Sequence, residues 1–145
     1  MFFKKQLFNA EQKQQIVASI QEAEKVTSGE IKVHLEPKCA KDPMTRALEV
    51  FHKLGVHKTE HKNGVLIYIA WQDKKFAIVG DSGINAVVPA NFWDGTKEVM
   101  KGHFSKGEFL EGIRFAIKET GVHLAQYFPH HDDDKNEFSD EISEG

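Results

Sequence analysis

The sequence predicts an α/β fold: one mixed sheet with helices over both faces. Three observations predict it. The stretch Glu30-Ile31-Lys32-Val33-His34-Leu35-Glu36 alternates with period two, and a helical pattern separates it from an unbroken apolar run at 65–71; this is the layout of a β-α-β unit. Only Gln72-Asp73-Lys74 lies between that run and a third strand at 75–79, too short a link for a crossover, so these two strands form an antiparallel hairpin. Helical patterns precede and follow the strands and can cover both faces of the sheet.

The first helix is predicted over 10–26. Asn9 is placed to cap it, Gln12 has capping-box spacing, and Ile16, Val17, Ile20 and Ala23 trace one apolar face before Gly29 supplies the stop. The strand at 30–36 ends at Pro37, with one buried and one wetter face. Asp42-Pro43 opens the second helix as cap and first helical residue, Ala47, Leu48, Phe51 and Leu54 form its buried face, and Gly55 closes it. Asn63-Gly64 leads into the second strand, whose lack of alternation marks a central strand covered on both faces. After the hairpin, 85–88 forms a short turn before Pro89, Asn91 caps a helix over 92–102, and a longer helix runs over 106–127 with Phe109, Ile113, Ala116 and Ile117 along one face. Gly107, Gly112 and Gly121 each weaken that helix by up to ~1 kcal/mol relative to alanine, and close helix packing is a reason to keep them. A right-handed crossover makes the first two strands parallel.

At 145 residues the chain suits one domain. Residues 1–129 are expected to fold together and 130–145 to form a disordered acidic tail. That tail holds seven acidic residues and one lysine, a net of −6 against −3 for the whole chain, and its apolar residues are Phe138 and Ile142 alone; so little apolar surface does not offset the entropy of ordering. The charge argues against a nucleic-acid binder. Eleven phenylalanines supply large side chains for a core, and Trp71, Phe92, Trp93, Phe104, Phe109 and Phe128 read as core because no basic stripe accompanies them. The single cysteine, Cys39, excludes an internal disulfide and agrees with a reducing compartment. No apolar stretch approaches the ~20 residues a membrane helix needs. Residues 1–8 carry Lys4 and Lys5 without a following apolar run or small-residue cleavage site, so they do not read as a signal peptide. A cytoplasmic protein without direct membrane insertion is expected.

Chain direction decides which loops meet. One rim of the sheet gathers Thr27, Ser28, Glu30, Asn63 and Asp81; the opposite rim gathers Glu36, Cys39, Asp42 and Asp73. The first rim is favoured because Gly80-Asp81-Ser82-Gly83-Ile84 places two glycines around an acid directly after a strand, which lets the backbone turn sharply and approach a ligand. Asp81 and Glu30 offer hard oxygen ligands to calcium or magnesium, or the backbone N–H groups of the turn receive a phosphate oxygen. The plainer alternative is that Gly83 permits the turn and Asp81 caps the residues after it. On the second rim Asp42 suits a helix cap, Asp73 a turn position, and Cys39 an inert thiol. The eight histidines lack metal-site spacing, and no phosphate-binding loop, nucleophile elbow or Cys-x-x-Cys is present.

Several of these stretches resemble TPM domains. Thr27-Ser28-Gly29-Glu30-Ile31-Lys32-Val33 resembles the opening strand of that family. Asn63-Gly64-Val65-Leu66-Ile67-Tyr68-Ile69-Ala70 with Asp73-Lys74-Lys75 after it is similar to its central hairpin, Gly80-Asp81-Ser82-Gly83-Ile84 to its glycine turn, and 104–112 to its Phe-x-x-Gly-x-Phe-x-x-Gly helix entry. The resemblance covers about residues 8–129. It implies an α/β/α sandwich with a Rossmann-like look. It also implies divalent-cation binding, and a link either to acid phosphatase activity and photosystem II repair, as in a thylakoid-lumen member, or to membrane-protein assemblies. Carried over by position, Glu30 and Asp81 are the acidic participants, with Asp73 behind them, and Asn63, Gly80, Ser82 and Gly83 form the ligand-binding loop. Many relatives carry a signal peptide and a membrane anchor; neither is expected for this chain, which resembles the standalone soluble bacterial version.

Three functions compete. The first is a module that binds a divalent cation, calcium favoured and magnesium the alternative, at the Glu30/Asp81 rim and serves another protein or a membrane-protein complex. The second is a metal-assisted phosphatase acting on monoesters; the third is protein binding without a cation. The sequence favours the first, since it has no Cys-x5-Arg or Asp-x-Asp nucleophile motif and only Arg46 and Arg114, both in predicted helices, to stabilise developing phosphoryl charge.

Overall fold

The computed structural model describes residues 6–131 and 137–145. In chain order its elements are α1 (Ala10–Glu24), β1 (Glu30–Glu36), α2 (Pro43–Lys53), a 3-10 turn (Val56–Lys58), β2 (Gly64–Ala70), β3 (Lys75–Gly80), α3 (Ser82–Asn85), α4 (Asp94–Ser105), α5 (Phe109–Leu124) and β4 (Ser143–Glu144). The sheet runs β3-β2-β1-β4. β1 and β2 are parallel, Glu30 opposite Gly64 and Glu36 opposite Ala70, and β3 returns antiparallel with Gly80 opposite Val65. The β-α-β unit and the hairpin are therefore as the link lengths predict.

Alternation along the strands builds two cores. Ile31, Val33, Leu35, Val65, Ile67, Ile69 and Ile78 meet Ile16 and Ile20 of α1, Met100 and Phe104 of α4, and Ile113 and Ile117 of α5. On the other face Leu66, Tyr68, Ala70, Ala77 and Val79 meet Ala47, Val50 and Phe51 of α2. β2 is buried along its whole length, as its unbroken apolar run requires. Asn9 and Gln12 close the expected capping box of α1, and Asp42 caps α2 through the N–H groups of Met44 and Thr45.

Several local expectations change. Leu48 is 43% exposed, and Val50 takes the inward position on α2. A short helix not expected from the sequence, Ser82–Asn85, starts directly on the Asp81 cap, and the turn expected over 85–88 continues from its end. Asn91 contributes its carbonyl, which accepts from the Asp94 N–H at 3.1 Å, and α4 starts at Asp94 without a side-chain cap. Gly107, at φ +77°, lies in the turn between α4 and α5 rather than inside a helix. At Gly121 a Cβ would stand 2.9 Å from Cβ of Ala23, so this glycine is what lets α5 lie close against α1.

The largest change concerns the C-terminal segment. Residues 137–145 do not hang free as expected: they cross the sheet end and add β4 parallel to β1, with Ser143 opposite His34 and Glu144 opposite Leu35. Phe138 packs on the α2-side core and Ile142 on the other. Two apolar residues suffice here because the segment borrows a ready-made surface and pairs with an edge strand whose backbone groups need partners. Asp132 to Asn136 lie outside the described residues. Among the described residues, no helix is long and apolar enough to cross a membrane.

Candidate functional site

The favoured rim lies where β1 and β2 begin and β3 ends. The Glu30 N–H donates to the Asn63 carbonyl at 3.3 Å and the Asp81 N–H to the Gly64 carbonyl at 3.0 Å, so the backbones of Glu30 and Asp81 share one border. Asn63 is buried and engaged: its N–H donates to Thr59 Oγ1 at 3.2 Å and its Nδ2 to Ser28 Oγ at 3.4 Å. The Gly83 N–H donates to the Lys62 carbonyl at 2.9 Å, and a Cβ at Gly83 would stand 2.6 Å from that oxygen and closer still to the His61 carbonyl. The glycine turn thus fits against the 61–62 loop. Asp81 Oδ1 accepts from the Ser82 N–H at 2.7 Å as a helix cap, Asn85 Nδ2 donates to the Gly80 carbonyl at 3.0 Å, and Asp81 Oδ2 is buried with no hydrogen-bond partner among the described residues.

Glu30 turns toward other partners. It is 4% exposed, and its Oε1 accepts from the backbone N–H groups of Glu137 and Phe138. Burial first, and the nearby charges of Glu137 and Asp140 second, push its carboxyl up to about 7 against those N–H groups. Glu24, at the end of α1, accepts from the Ile31 N–H at 3.2 Å. Its carboxyl is raised far above the usual range by burial and by the Asp140 carboxyl lying against it. The Asp140 side chain is hydrogen-bonded to Glu24, while among the described residues its Oδ1 is buried with no hydrogen-bond partner. Lys32 reaches over from β1, donating to the carbonyls of Ser139 at 3.0 Å and Glu141 at 2.8 Å. Three carboxyls from α1, β1 and the C-terminal segment therefore converge, and the structure brings Glu30 together with Glu24 and Asp140 rather than with Asp81.

Asp73 belongs elsewhere. It lies in the hairpin turn at the far end of the sheet, where its Oδ2 accepts from the Cys39 N–H at 2.8 Å while Lys75 Nζ donates to the Cys39 carbonyl at 3.0 Å. Grouping it with Glu30 and Asp81 is corrected on that ground: a residue just after β2 cannot share a ligand with one at the start of β1 when the two strands are parallel. Cys39 is buried, its thiol donating to the Lys41 carbonyl at 3.1 Å.

The same end holds a polar network that the residue patterns alone do not reveal. Glu36 is 6% exposed. Arg46 Nε and Nη2 donate to its two carboxylate oxygens at 3.0 Å each, the Tyr68 hydroxyl donates to Oε2, and His34 Nε2 lies 3.0 Å from Oε1. Burial alone would raise the Glu36 carboxyl; the donors Arg46, Tyr68 and His34 outweigh it and hold the group at about 2. Burial lowers the His34 pKa against the opposing pull of the Glu36 carboxylate; that carboxylate can only accept, so Nε2–H donates to it, and in the neutral ring Nδ1 accepts from the Ser143 hydroxyl at 2.9 Å. β1 lacks the wetter face its alternation predicts: Glu30, His34 and Glu36 are buried and Lys32 is half-buried, because the sheet order covers both faces, and each of these polar groups then needs a partner.

The sequence of residues 2–122 matches the TPM domain (TPM_phosphatase). The chain belongs to the TPM domain family. Among solved structures, this TPM domain is similar to the BA42 protein from the psychrophilic bacterium Bizionia argentinensis, at 45% identity and a TM-score of 0.92 with 100% of each chain covered. It also shares its fold with the N-terminal domain of the cg2496 protein from Corynebacterium glutamicum, at 12% identity and a TM-score of 0.64 over 95% of this chain and 80% of that one. No curated protein matches it. The open α/β sandwich expected from the resemblance is the architecture these likenesses share.

Proposed function

We propose that this TPM domain is a divalent-cation-responsive binding module, with calcium favoured, and that Glu24, Glu30 and Asp140 hold the ion where residues 137–141 cross the start of β1. One observation carries this reading: three carboxyls from three separate elements converge in a largely buried place, and Glu24 and Glu30 are pushed toward holding protons at pH values where free carboxylates are ionised. Such a cluster calls for protons or for a compensating cation. All-oxygen donors suit calcium or magnesium rather than a softer metal. Among the described residues, no three His, Cys, Asp or Glu side chains stand ready-made to hold a metal, so binding has to draw these carboxylates inward. Calcium, tolerant of irregular oxygen sets, is favoured over magnesium for that reason.

The ion's role is then structural. It fastens the C-terminal segment to the sheet, and a change in cation level alters the surface shown to a partner protein or membrane-protein complex. Asp81, whose buried Oδ2 has no hydrogen-bond partner among the described residues, is the alternative ligand. A phosphatase would use the same ion to polarise a phosphoryl oxygen, but the two arginines are tied elsewhere, Arg46 to Glu36 and Arg114 to Ser19 and Gln15.

The test is calorimetric titration of chelator-treated protein with calcium and magnesium. The expected result is saturable calcium binding that weakens at least tenfold in Glu30→Gln and persists in Asp73→Asn and Asp81→Asn. Loss in Asp81→Asn alone moves the site to the glycine turn, and absence of saturable heat with either ion refutes the reading. Turnover of a generic phosphate ester that depends on the added ion would revive the enzyme.

A further inference from the structure

The last four residues are held by contacts that read their side chains one at a time. Ile142 packs into the core on the α1 side. The Ser143 hydroxyl meets His34 Nδ1 at 2.9 Å, and Glu144 pairs with Lys13 of α1 at 2.9 Å. The Gly145 N–H donates to the Leu35 carbonyl at 2.8 Å, and a Cβ at this position would stand 2.7 Å from Glu36 Oε1 and 3.0 Å from His34 Nε2. His34 and Glu36 are themselves fixed by Tyr68 and Arg46, so the receiving surface is built in the body of the domain and does not depend on the segment it holds. An aliphatic residue, a hydroxyl, an acid and then a residue without a side chain is a specific pattern. Main-chain pairing supplies the attachment and alternate side chains supply the selection, as in strand addition to a sheet edge.

We propose that the outer edge of β1 is a strand-acceptor site and that residues 142–145 of a second copy of this chain can occupy it in exchange for the chain's own. Three observations favour a second copy as occupant. Its segment carries the complement to Lys13, His34 and the space at Gly145 without any change. The ladder itself is short, two residues of β4 against His34 and Leu35, so few backbone bonds oppose an exchange of 142–145 and side-chain fit decides which segment sits there. Once released, the edge exposes backbone groups that need another strand. Whether the segment folds back or crosses to a neighbour is then a matter of effective concentration, the usual basis of strand exchange. The inference rests on the geometry of 142–145 and not on the cation, and the test is run with chelator present.

A labelled peptide with the sequence of residues 137–145 is titrated into the full chain and into its Gly145→Val variant, whose own segment no longer fits. The expected result is at least tenfold tighter peptide binding to the variant, where the internal competitor is weakened, and no binding of a peptide that carries Gly145→Val itself. The wild-type chain at millimolar concentration should populate a dimer that excess peptide dissolves. If Gly145→Val disturbs the fold by circular dichroism, a charge exchange replaces it: Lys13→Glu in the chain should reject the wild-type peptide and accept one carrying Glu144→Lys. Equal binding to both chains, indifference to the Gly145→Val change in the peptide, or a chain that stays monomeric at millimolar concentration overturns the proposal.

Discussion

Replacing Glu30 by glutamine removes a buried charge while keeping a carbonyl oxygen where Oε1 now accepts from the Glu137 and Phe138 N–H groups. The carboxyl sits at about 7 in the folded protein against 4.5 for an ordinary glutamate. Between those values the folded state keeps a proton that the unfolded chain has released. Stability from this group is therefore intact below pH 4.5 and falls as the pH rises through 7. The two values set a ceiling of about 3 kcal/mol for the full loss, of which about 2 kcal/mol falls between pH 5 and pH 8. Urea denaturation with chelator present, at pH 5, 6, 7 and 8, measures it. The wild-type chain should lose stability across that series, and Glu30→Gln should lose about 2 kcal/mol less, ending more stable than the wild type at pH 8. Parallel profiles for the two proteins would refute the claim that Glu30 is a strained, buried carboxylate, and with it the reason for placing a cation there.

Other perturbations test the remaining contacts. Tyr68→Phe removes one of the donors that hold Glu36 at about 2; stability from Glu36 is present above pH 4.5 and lost as pH falls toward 2, so the variant should be weaker by about 1–3 kcal/mol at pH 7 and unfold at a higher pH on acid titration. Gly83→Ala drives a Cβ into the carbonyls of His61 and Lys62, backbone atoms that cannot turn aside, and should lower stability by about 1–3 kcal/mol in thermal denaturation; an unchanged melting temperature contradicts the close approach. Cys39 is 3% exposed, so a thiol reagent should react only as fast as the domain opens, and prompt reaction in the native protein would show that the 37–41 loop is not held as described.

Much of the fold was legible because local signals and connection lengths agreed. The alternation at 30–36, the unbroken run of β2 and the three-residue hairpin turn leave one plausible sheet direction, and Asn9 and Asp42 mark helix starts through side chains that can do little else there. The starts of α4 and α5 were less legible, since neither is marked by a side-chain cap. Residues 137–145 were illegible for a physical reason. Composition measures what a segment can bury by itself, whereas Phe138 and Ile142 dock on surface supplied by strands a hundred residues away. The candidate site suffered from the same limit. Glu30 was found from chain direction, but Glu24 reaches it from the end of α1 through the Ile31 N–H, Asp140 becomes its neighbour only once the C-terminal segment crosses β1, and Asp81 shares the border with Glu30 while serving as a cap. Glu36 and His34 follow from β1's burial on both faces, a consequence of sheet order that the strand's own pattern does not announce.

An amide NMR titration of the full chain with calcium, at pH 7 and after chelator treatment, tests the central claim most directly. Saturable shifts concentrated at 24–32 and 137–141, with 72–75 quiet and 80–85 only weakly perturbed, are the predicted result. Shifts centred on 80–85, or a spectrum that does not respond to calcium, would contradict a cation held by Glu24, Glu30 and Asp140.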